Sequence, residues 1–366
     1  MIAGSATLFR YIFRRFFASF AAIMAVLVGV VFLFSVVELM RRAANHPGGN
    51  VPFRTLLAMA GLQQPEMAQI MLPFGVMFAA MYTCWKLNKT SELVVIRSAG
   101  VSAWQFLSPM LAAALLTGIF ATAVVNPFSS TLLAKYDQLV TLNLAQNNNL
   151  VTVSRTGIWL RQPTPAGYAL IHSDTFDESQ WRLSAVTLFF FDNGDSFMSR
   201  IDSPEVYLKD GYWEIHDALV NEHGTSTREA IRQLPTELTS QKIEESFADP
   251  DTISFWSIPD YIHIMEETGF PTTPLHIHFQ ALLAQPFLFM AMVLLAATFS
   301  LRPPRFGGTG AMIVLGVAVG FFIFFMESML HAFGISQKIP VYLAAWTPAA
   351  VSLLLGTTAL LHLEDG

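Results

Sequence analysis

Six long apolar stretches divide this chain, and a polar segment rich in short strand-like runs separates the third stretch from the fourth. An apolar run of about 18 residues or more predicts a membrane-spanning helix, because about 20 residues at 1.5 Å rise cross a hydrocarbon layer of about 30 Å. The predicted spans are Phe16–Val37, Met67–Trp85, Trp104–Val125, His276–Leu301, Phe306–Met326 and Ile339–Leu361.

Composition limits the classes of function. With 53% hydrophobic residues and a mean hydropathy of +0.47, the chain is too apolar for an ordinary soluble domain. A net charge of −6 without clustered positive charge argues against nucleic-acid binding. A single cysteine, Cys84, excludes an internal disulfide. The sequence contains no phosphate-binding loop, zinc-protease motif or nucleophile elbow, so no cofactor, metal or catalytic site is predicted.

The placement of basic residues predicts the orientation in the membrane. Cytoplasmic connections carry an excess of Lys and Arg. Such residues precede span one and follow spans two and four: Arg10, Arg14, Arg15, Lys86, Lys89, Arg97, Arg302 and Arg305. Both termini are then cytoplasmic, and the polar segment lies outside. Arg41, Arg42 and Arg54 in the first external loop oppose this trend, which predicts a use for positive charge there.

The polar segment Leu139–Phe255 has the pattern of an all-β domain. Runs such as Tyr212–His216 are rich in β-branched and aromatic residues. Asn193-Gly194 and Lys209-Asp210-Gly211 predict hairpin turns, because glycine tolerates the positive φ that such turns require. Many short antiparallel strands indicate a sandwich, a barrel or a jelly roll.

The predicted fold is therefore a six-helix α-helical membrane protein with a jelly-roll-like β domain inserted between helices 3 and 4. Residues 1–138 hold spans one to three and a short helix near residues 90–99. Residues 139–255 form the β domain. Residues 256–366 hold spans four to six, preceded by an amphipathic helix predicted from Ile258 to Thr268.

The connection between spans two and three predicts a two-turn helix outside the membrane. Ser91 suits the N-cap, Glu92 suits the positive helix end, and Gly100 can close the helix in a left-handed conformation. Leu93 and Ile96 then present an apolar side for docking, and Glu92 is available to a basic residue. The alternative is an interfacial helix that lies on the lipid headgroups.

Polar residues also mark the outer end of span one. Helical spacing places Ser35, Glu38 and Arg42 on one face. Ionisable side chains at such a boundary usually face protein or a water-filled cavity, and the arginine fork suits phosphate. The alternative for Arg41 and Arg42 is extension of the side chains to the headgroups.

One acidic residue, Glu327, interrupts span five near its outer end, with His331 one helical turn later. An acid at this depth needs a cationic partner, and Arg41 or Arg42 is the predicted one. A purely structural pair and a role in the passage of cargo both remain open.

Taken together, these segments resemble the LptF/LptG permeases of the lipopolysaccharide exporter, across essentially the whole chain. The Trp159-Leu160-Arg161 string and the Arg41-Arg42 pair are similar to the G-type member. The segments that carry the resemblance are Tyr11 to Phe16, Val36 to Arg42, Ser91 to Gly100, Gly157 to Arg161 and Ala344 to Pro348.

The resemblance implies a non-catalytic subunit of an ABC transporter in the bacterial inner membrane. Its implied partners are an F-type sister permease, a dimeric cytoplasmic ATPase and periplasmic bridge proteins of jelly-roll fold. The implied cargo is lipopolysaccharide, taken from the membrane lipid and passed to the bridge.

The resemblance also implies roles for individual residues. The helix after span two becomes the coupling helix, with Glu92 as the acid that contacts the ATPase and Leu93, Ile96 and Arg97 beside it. Relatives often have a basic residue where this chain has Ser35. Candidates for contact with cargo are Phe32, Phe34, Ser35, Glu38, Arg41, Arg42 and Glu327.

Three other classes of function fit the sequence less well. A mechanotransmitting or structural membrane subunit would carry no cargo. A membrane-anchored hydrolase would need a nucleophile and a base at workable spacing, which the sequence lacks. A lipoprotein-exporting permease would normally have fewer spans and a different external domain.

Overall fold

The computed structural model divides into two compact units. The helical unit comprises Met1–Leu144, Asp251–Trp256 and Thr273–Gly366, and the β unit comprises Ala145–Pro250 and Ser257–Thr272. The structure describes residues 2–45, 51–144, 151–154, 157–164, 167–177, 180–192, 194, 196–222, 225–236, 249–267, 271–300 and 309–365. Arg302, Arg305 and Asn193 lie outside the described residues.

The described helices follow the predicted order but are longer than the apolar runs. A π-helical turn, Ala121–Val125, joins α4 to α5, and a short 3₁₀ turn, Pro250–Thr252, precedes α6. The α-helices are α1 (Ile2–Ala44), α2 (Phe53–Lys89), α3 (Glu92–Ser98), α4 (Ala103–Phe120), α5 (Asn126–Asn143), α6 (Ile258–Glu267), α7 (Thr273–Ser300), α8 (Thr309–Ile335) and α9 (Val341–Asp365).

Six helical stretches are long and apolar enough to cross a membrane, which confirms the predicted number. They are Ala6–Ala44, Phe53–Lys89, Ala103–Val140, Thr273–Ser300, Val314–Ile335 and Val341–His362. Arg41 and Arg42 lie in the last turn of α1, and Arg54 lies in the first turn of α2 rather than in a loop. Helical backbone bonds continue past the apolar run because they do not depend on side-chain polarity.

The core of the helical unit forms around α7, which packs against α2, α4 and α9, while α1 packs against α2. Its buried side chains include Phe16 of α1, Met77 of α2, Phe106 of α4 and Phe289 of α7. A second cluster occupies the other end of α1 and joins the end of α1 to the start of α2 and to α5 through Leu39, Ala43, Leu56, Met59, Leu133 and Tyr136.

The π-helical turn meets α7 where a proline interrupts the backbone bonds of that helix. Pro286 has no N–H, so the carbonyl of Leu282 lacks its usual donor four residues later. The hydroxyl of Thr122 supplies a donor, 3.0 Å from that carbonyl. Gly118 lies one turn earlier, and a Cβ there would overlap Pro286, so the close crossing of α4 and α7 requires glycine.

The β unit contains one seven-stranded antiparallel sheet whose strands pair in chain order. The strands are β1 (Val151–Ser154), β2 (Gly157–Thr164), β3 (Gly167–Asp177), β4 (Arg182–Asp192), β5 (Phe197–Lys209), β6 (Tyr212–Glu222) and β7 (Thr225–Pro235). Lys209 pairs with Tyr212 across Asp210-Gly211, and Gly211 has a φ of 85°, which confirms the predicted hairpin. The second predicted hairpin joins β4 to β5, where Asp192 Oδ1 accepts from the N–H of Gly194.

A line of interrupted pairing crosses five strands of the sheet. The register skips Asp174, Ala185, Pro204, Asp217 and Ala230, which are neighbours from β3 to β7. Ala185 and Asp217 both have a φ of 53°, and Pro204 has no N–H to donate to the ladder. Such irregularities bend strands and increase their twist.

Buried serines satisfy carbonyl groups along this line. The hydroxyl of Ser173 lies 2.8 Å from the carbonyl of Ser184, and the hydroxyl of Ser203 lies 2.6 Å from the carbonyl of His216. Both serines are almost fully buried. The polar groups that the bend releases are therefore paired inside the domain, as buried polar groups generally are.

The sheet curls over until strands far apart in the pairing order touch. Gln162 of β2 accepts a hydrogen bond from Trp213 of β6 at 2.9 Å and donates to the carbonyl of Pro235 of β7 at 2.8 Å. Thr236 donates to the same side-chain oxygen of Gln162 at 2.9 Å. The inner face thus becomes its own core, with Ile158, Ile171 and Leu188 fully buried. The predicted fold class, with a jelly-roll-like β domain between spans three and four, is confirmed.

We predict that Gln162→Leu destabilises the β unit by about 2–4 kcal/mol, because it leaves the indole N–H of Trp213 and two other buried polar groups without this partner. Thermal or denaturant unfolding of the full chain in detergent, followed by tryptophan fluorescence, measures the loss. Gln233→Leu, at an exposed position of β7, is the matched control and should change stability by less than about 0.5 kcal/mol. Equal effects of the two substitutions would contradict the closing role of Gln162.

Candidate functional site

A tight turn separates α2 from the short helix α3. The backbone N–H of Thr90 donates to the carbonyl of Lys86 at 3.0 Å, and Ser91 then adopts a left-handed conformation with a φ of 59°. The side chain of Ser91 makes no capping bond, so the predicted cap is wrong: a capping residue needs an extended backbone. Gly100 has a φ of 82° after α3 ends, which confirms its predicted conformation.

The carboxylate of Glu92 binds the first span of the same chain. Nη1 of Arg15 donates to Oε1 at 2.9 Å and to Oε2 at 2.7 Å. The hydroxyl of Tyr11 donates to Oε2 at 2.7 Å, and the hydroxyl of Thr90 donates to Oε1 at 2.8 Å. Arg15 also donates to the Tyr11 hydroxyl. We refer to these four residues, Tyr11, Arg15, Thr90 and Glu92, as the Glu92 cluster.

These contacts favour the charged form of Glu92. The hydrogen bond from Tyr11, with those from Arg15 and Thr90, lowers the pKa of Glu92 below its ordinary value. A carboxyl group whose pKa is lowered by folding stabilises the fold above its unfolded pKa and loses that contribution as pH falls through the folded value. The cluster is therefore intact at neutral pH and weakens only in acid.

The predicted apolar side of α3 docks on the core of its own chain. Leu93 is buried in the core of the helical unit, and Ile96 packs partly buried against the same core. Both residues dock on their own chain, and Leu93 is unavailable to a partner. The apolar side chains turned to solvent are Val94 and Val95, which are 62% and 66% exposed, and the predicted Arg97 is exposed beside them.

At the other end of α1, Glu38 binds both arginines. Arg41 donates to Glu38 through Nε and Nη2, each at 2.9 Å, and Arg42 donates through Nε at 2.9 Å. The predicted shared face of Glu38 and Arg42 is thus observed. The side chains of Arg41 and Arg42 remain 68% and 57% exposed. Nη1 of Arg41 and both Nη atoms of Arg42 make no hydrogen bond with residues that the structure describes.

The neighbouring candidates differ in exposure. Phe34 is 72% exposed, whereas Phe32 packs partly buried against the cluster at the end of α1. Ser35 is half-buried. Of the two phenylalanines, Phe34 therefore presents the larger surface to whatever lies beside α1.

Glu327 does not form the predicted pair. Arg41 and Arg42 bind Glu38, which lies three and four residues away on the same helix and is therefore always within reach. Glu327 is half-buried in α8 and makes no ion pair within the described part of the chain.

Sequence reasoning missed the roles of Tyr11 and Arg15. Their spacing of four residues places them on one face of α1 and is visible in the sequence. Their contact with Glu92 spans 77 residues from Arg15, and no local pattern indicates it.

The six spans and the inserted β domain define a polytopic membrane protein of the transport permease class. The chain belongs to the LptF/LptG family: the family model described as "Lipopolysaccharide export system permease LptF/LptG" matches residues 10–362. This match confirms the resemblance drawn from the sequence.

Individual relatives match at low identity over almost their whole length. The chain is 21% identical over 355 residues to the lipopolysaccharide export system permease protein LptG of Haemophilus influenzae, covering 95% of this chain and 96% of the relative. It is 20% identical over 365 residues to LptG of Escherichia coli K12, covering 96% and 97%. It is 31% identical to LptF of the same strain over 124 residues, a third of each chain.

Proposed function

We propose that this protein is the G-type permease subunit of a lipopolysaccharide exporter. The observation that carries the proposal is the family match over nearly the whole chain, joined to six spans with a β domain between the third and the fourth. The LptG relatives described above match over almost their whole length, whereas the LptF relative matches over a third of its length, which favours the G-type over the F-type. The protein is accordingly a multi-pass inner-membrane transport subunit, and ATP hydrolysis is assigned to a partner chain.

The Glu92 cluster supports the proposed orientation. It joins the start of α1 to the connection between α2 and α3, so the basic residues of both segments lie at one end of the bundle. The positive-inside rule makes that end cytoplasmic. The cluster of Leu39, Met59 and Tyr136 lies at the other end, where α5 leads into the β strands. The β domain is then periplasmic and both termini are cytoplasmic.

Thiol labelling in whole cells tests this orientation. The single native cysteine, Cys84, is fully buried and gives a low background. We predict that a membrane-impermeant maleimide labels Asp210→Cys in intact cells, whereas Ser98→Cys is labelled only after the inner membrane is broken. Both native side chains are exposed, so accessibility within the fold is matched. Labelling of both residues from the same side would refute the proposed topology.

The solvent-facing side of α3 is the proposed docking surface for the cytoplasmic ATPase. Val94 and Val95 form an exposed apolar pair outside the predicted spans, and Arg97 adds a positive charge beside it. Leu93 and Ile96 hold the opposite side of α3 against the core of the helical unit. An apolar pair with a charged rim has the composition of a small interface centre.

We predict that Val95→Asp lowers the amount of ATPase that co-purifies with the permease about tenfold, because it places a charge in the apolar centre of the contact. Ile231→Asp adds the same charge at an exposed apolar position of β7 and is the control. Co-purification that is equal for the two variants would exclude this surface as the docking site.

The outer half of α1 is the proposed contact with cargo. Lipopolysaccharide combines acyl chains with phosphorylated sugars, so its site needs apolar walls and positive charge at the rim. Phe34 provides exposed aromatic surface, and Arg41 and Arg42 have N–H groups left over for phosphate oxygens. Glu38 holds both arginines of this rim, and Phe32, Ser35 and Glu327 remain proposed contacts of lower exposure.

The F-type sister subunit is the proposed neighbour of two exposed apolar faces. α1 and α8 each turn a row of large side chains away from the core of their own chain, and such rows need either lipid or another apolar surface. The rows contain Val26, Val30, Leu33, Phe34 and Val37 on α1, and Val314, Leu315, Phe321, Phe322 and Phe325 on α8. A cavity between two such subunits would expose both rows to the acyl chains of the cargo.

Photo-crosslinking separates a permease from a subunit that only transmits force. We predict that a photoreactive phenylalanine analogue at Phe34 forms an adduct with lipopolysaccharide in cells, and that Arg41→Gln with Arg42→Gln reduces the adduct several-fold. The same analogue at Phe17, exposed on α1 about 25 Å nearer the cytoplasmic end, should form none. A transmission subunit would give no adduct at either position.

A further inference from the structure

Four residues form one outward face at the end of α2, which we call the Lys86 face: Tyr82, Trp85, Lys86 and Lys89. Their spacing of three, four and seven residues places them along one side of a helix. Tyr82 is 43% exposed, Trp85 is half-buried, and both lysines are exposed. The other side of the same turns is buried in the core of the helical unit. The Lys86 face therefore lies on the surface of that unit.

The rings and the ammonium groups of the Lys86 face contact one another. The centres of the Tyr82 and Trp85 rings lie 5.8 Å apart. Nζ of Lys86 lies 5.8 Å from the centre of the Tyr82 ring, within cation–π range. Nζ of Lys89 lies 5.0 Å from the centre of the Trp85 ring, which is the same kind of contact. Each lysine is thus held beside a ring, and two positive charges are placed together on one side of the helix.

Neither ammonium group is neutralised by the part of the chain that the structure describes. The ion pair at this end of the bundle joins Arg15 to Glu92, and no described carboxylate lies within ion-pair distance of Lys86 or Lys89. Like charges on neighbouring positions of one helix side repel each other. An anion that contacts both lysines relieves this repulsion, so the Lys86 face has the charge to bind an anionic group.

The position of the Lys86 face along α2 matches the boundary of the membrane. The apolar run that predicts this span ends at Trp85, so the two rings lie at its edge and the two lysines lie beyond it. From Tyr82 to Lys89 the helix rises about 10 Å, and the headgroup layer on each side of the hydrocarbon is about 5–8 Å thick. Amphipathic rings with lysines just outside them are typical of a helix side that faces lipid headgroups.

The depth of Tyr82 favours a lipid over a water-soluble partner. Tyr82 lies inside the predicted span, where a protein in the aqueous phase does not reach. A phospholipid reaches the whole Lys86 face at once, because its acyl chains lie beside the rings while its phosphate lies at the level of the lysines. Phosphate oxygens are strong acceptors for ammonium donors, and the hydrogen bonds between them are charge-assisted.

We propose that the Lys86 face is a binding site for the headgroup of an anionic phospholipid. The phosphate binds Lys86 and Lys89, and the rings of Tyr82 and Trp85 pack against the glycerol and the upper acyl chain. A zwitterionic headgroup binds less well, because it adds a cation that the two lysines repel. This inference rests on the proposed function only for the side of the membrane, since the proposed topology places the Lys86 face in the cytoplasmic leaflet.

Photo-crosslinking in vesicles of known composition tests the site. The full chain, purified with its co-expressed partners, carries a photoreactive phenylalanine analogue at Tyr82 and is reconstituted in mixed phosphatidylglycerol and phosphatidylcholine. Mass spectrometry of the adducts gives the ratio of the two lipids at the Lys86 face relative to that of the vesicle. We expect several-fold enrichment of phosphatidylglycerol, since each lysine near an anionic surface contributes about a fivefold preference. Adducts in the bulk ratio would overturn the proposal.

Two double variants separate a site from a general attraction of positive charge. Lys86→Gln with Lys89→Gln should return the adducts to the bulk ratio, whereas Lys86→Arg with Lys89→Arg keeps both charges and should keep most of the enrichment. Arg10→Gln with Arg14→Gln is the matched control, because it removes two exposed positive charges from α1 at the same end of the bundle. This control should leave the enrichment at Tyr82 unchanged, and a loss equal to that of the lysine variant would refute a localised site.

Other outcomes identify other occupants. Enrichment that is abolished by inorganic phosphate, but not by chloride at the same ionic strength, would assign the Lys86 face to free phosphate and overturn the lipid site. Adducts with the sister permease or the ATPase in place of lipid would also overturn it.

The thiol-labelling test of topology keeps this proposal separable from the proposed function. If Asp210→Cys and Ser98→Cys are labelled from opposite sides but phosphatidylglycerol is not enriched, the lipid site alone is refuted. If both cysteines are labelled from the same side while the enrichment is present, the proposed topology is refuted and the lipid site stands.

Discussion

No water is available inside a hydrocarbon layer, so every backbone N–H and C=O of a spanning segment must find its partner within the protein. This constraint explains the six helices and also the places where a helix is imperfect. Pro286 leaves the carbonyl of Leu282 without a backbone donor, and Thr122 supplies one. Pro127, four residues after Ala123, also has no N–H, and Trp256 donates its indole N–H to the carbonyl of Ala123 at 3.1 Å. Each defect is thereby paired by a neighbouring segment.

The β unit meets the same requirement by a different route. A single meander sheet has one apolar face and, among the described residues of this unit, no second layer large enough to cover it. The sheet therefore bends along the line from Asp174 to Ala230 and closes on itself through Gln162. The bend is possible because Ala185 and Asp217 adopt a positive φ, and because Pro204 has no N–H to donate to the neighbouring strand. A buried polar side chain, Gln162, thus fixes the closure.

Features that depend on local sequence could be predicted, and features that depend on tertiary contact could not. The number of spans, the hairpin at Gly211, the helix at residues 258–267 and the left-handed Gly100 follow from residue type and spacing over a few positions. The burial of Leu93 depends on how α3 lies against the bundle. Amphipathic spacing gives a helix two faces without saying which one its own chain will cover.

Electrostatic partners were the least predictable part of the candidate site. The sequence predicts a pair of Glu327 with Arg41 or Arg42, but Glu38 binds both arginines. Residues three and four positions apart on one helix meet without any long-range folding. Glu92, by contrast, binds Arg15, which lies 77 residues away along the chain. Charge type alone could not distinguish these two cases.

The π-helical turn has a geometric consequence for the third span. The N–H of Asn126 reaches back five residues to the carbonyl of Ala121, so this span contains one residue more than a regular helix of the same length. Each residue of an α-helix turns about 100° around the axis, and the extra residue rotates α5 by about that amount relative to α4. Gly118 on α4 can therefore face α7, while Leu133 and Tyr136 on α5 face α1 and α2. The third span can thus present two contact surfaces, one on α4 and one on α5, that point in different directions around the same helix axis.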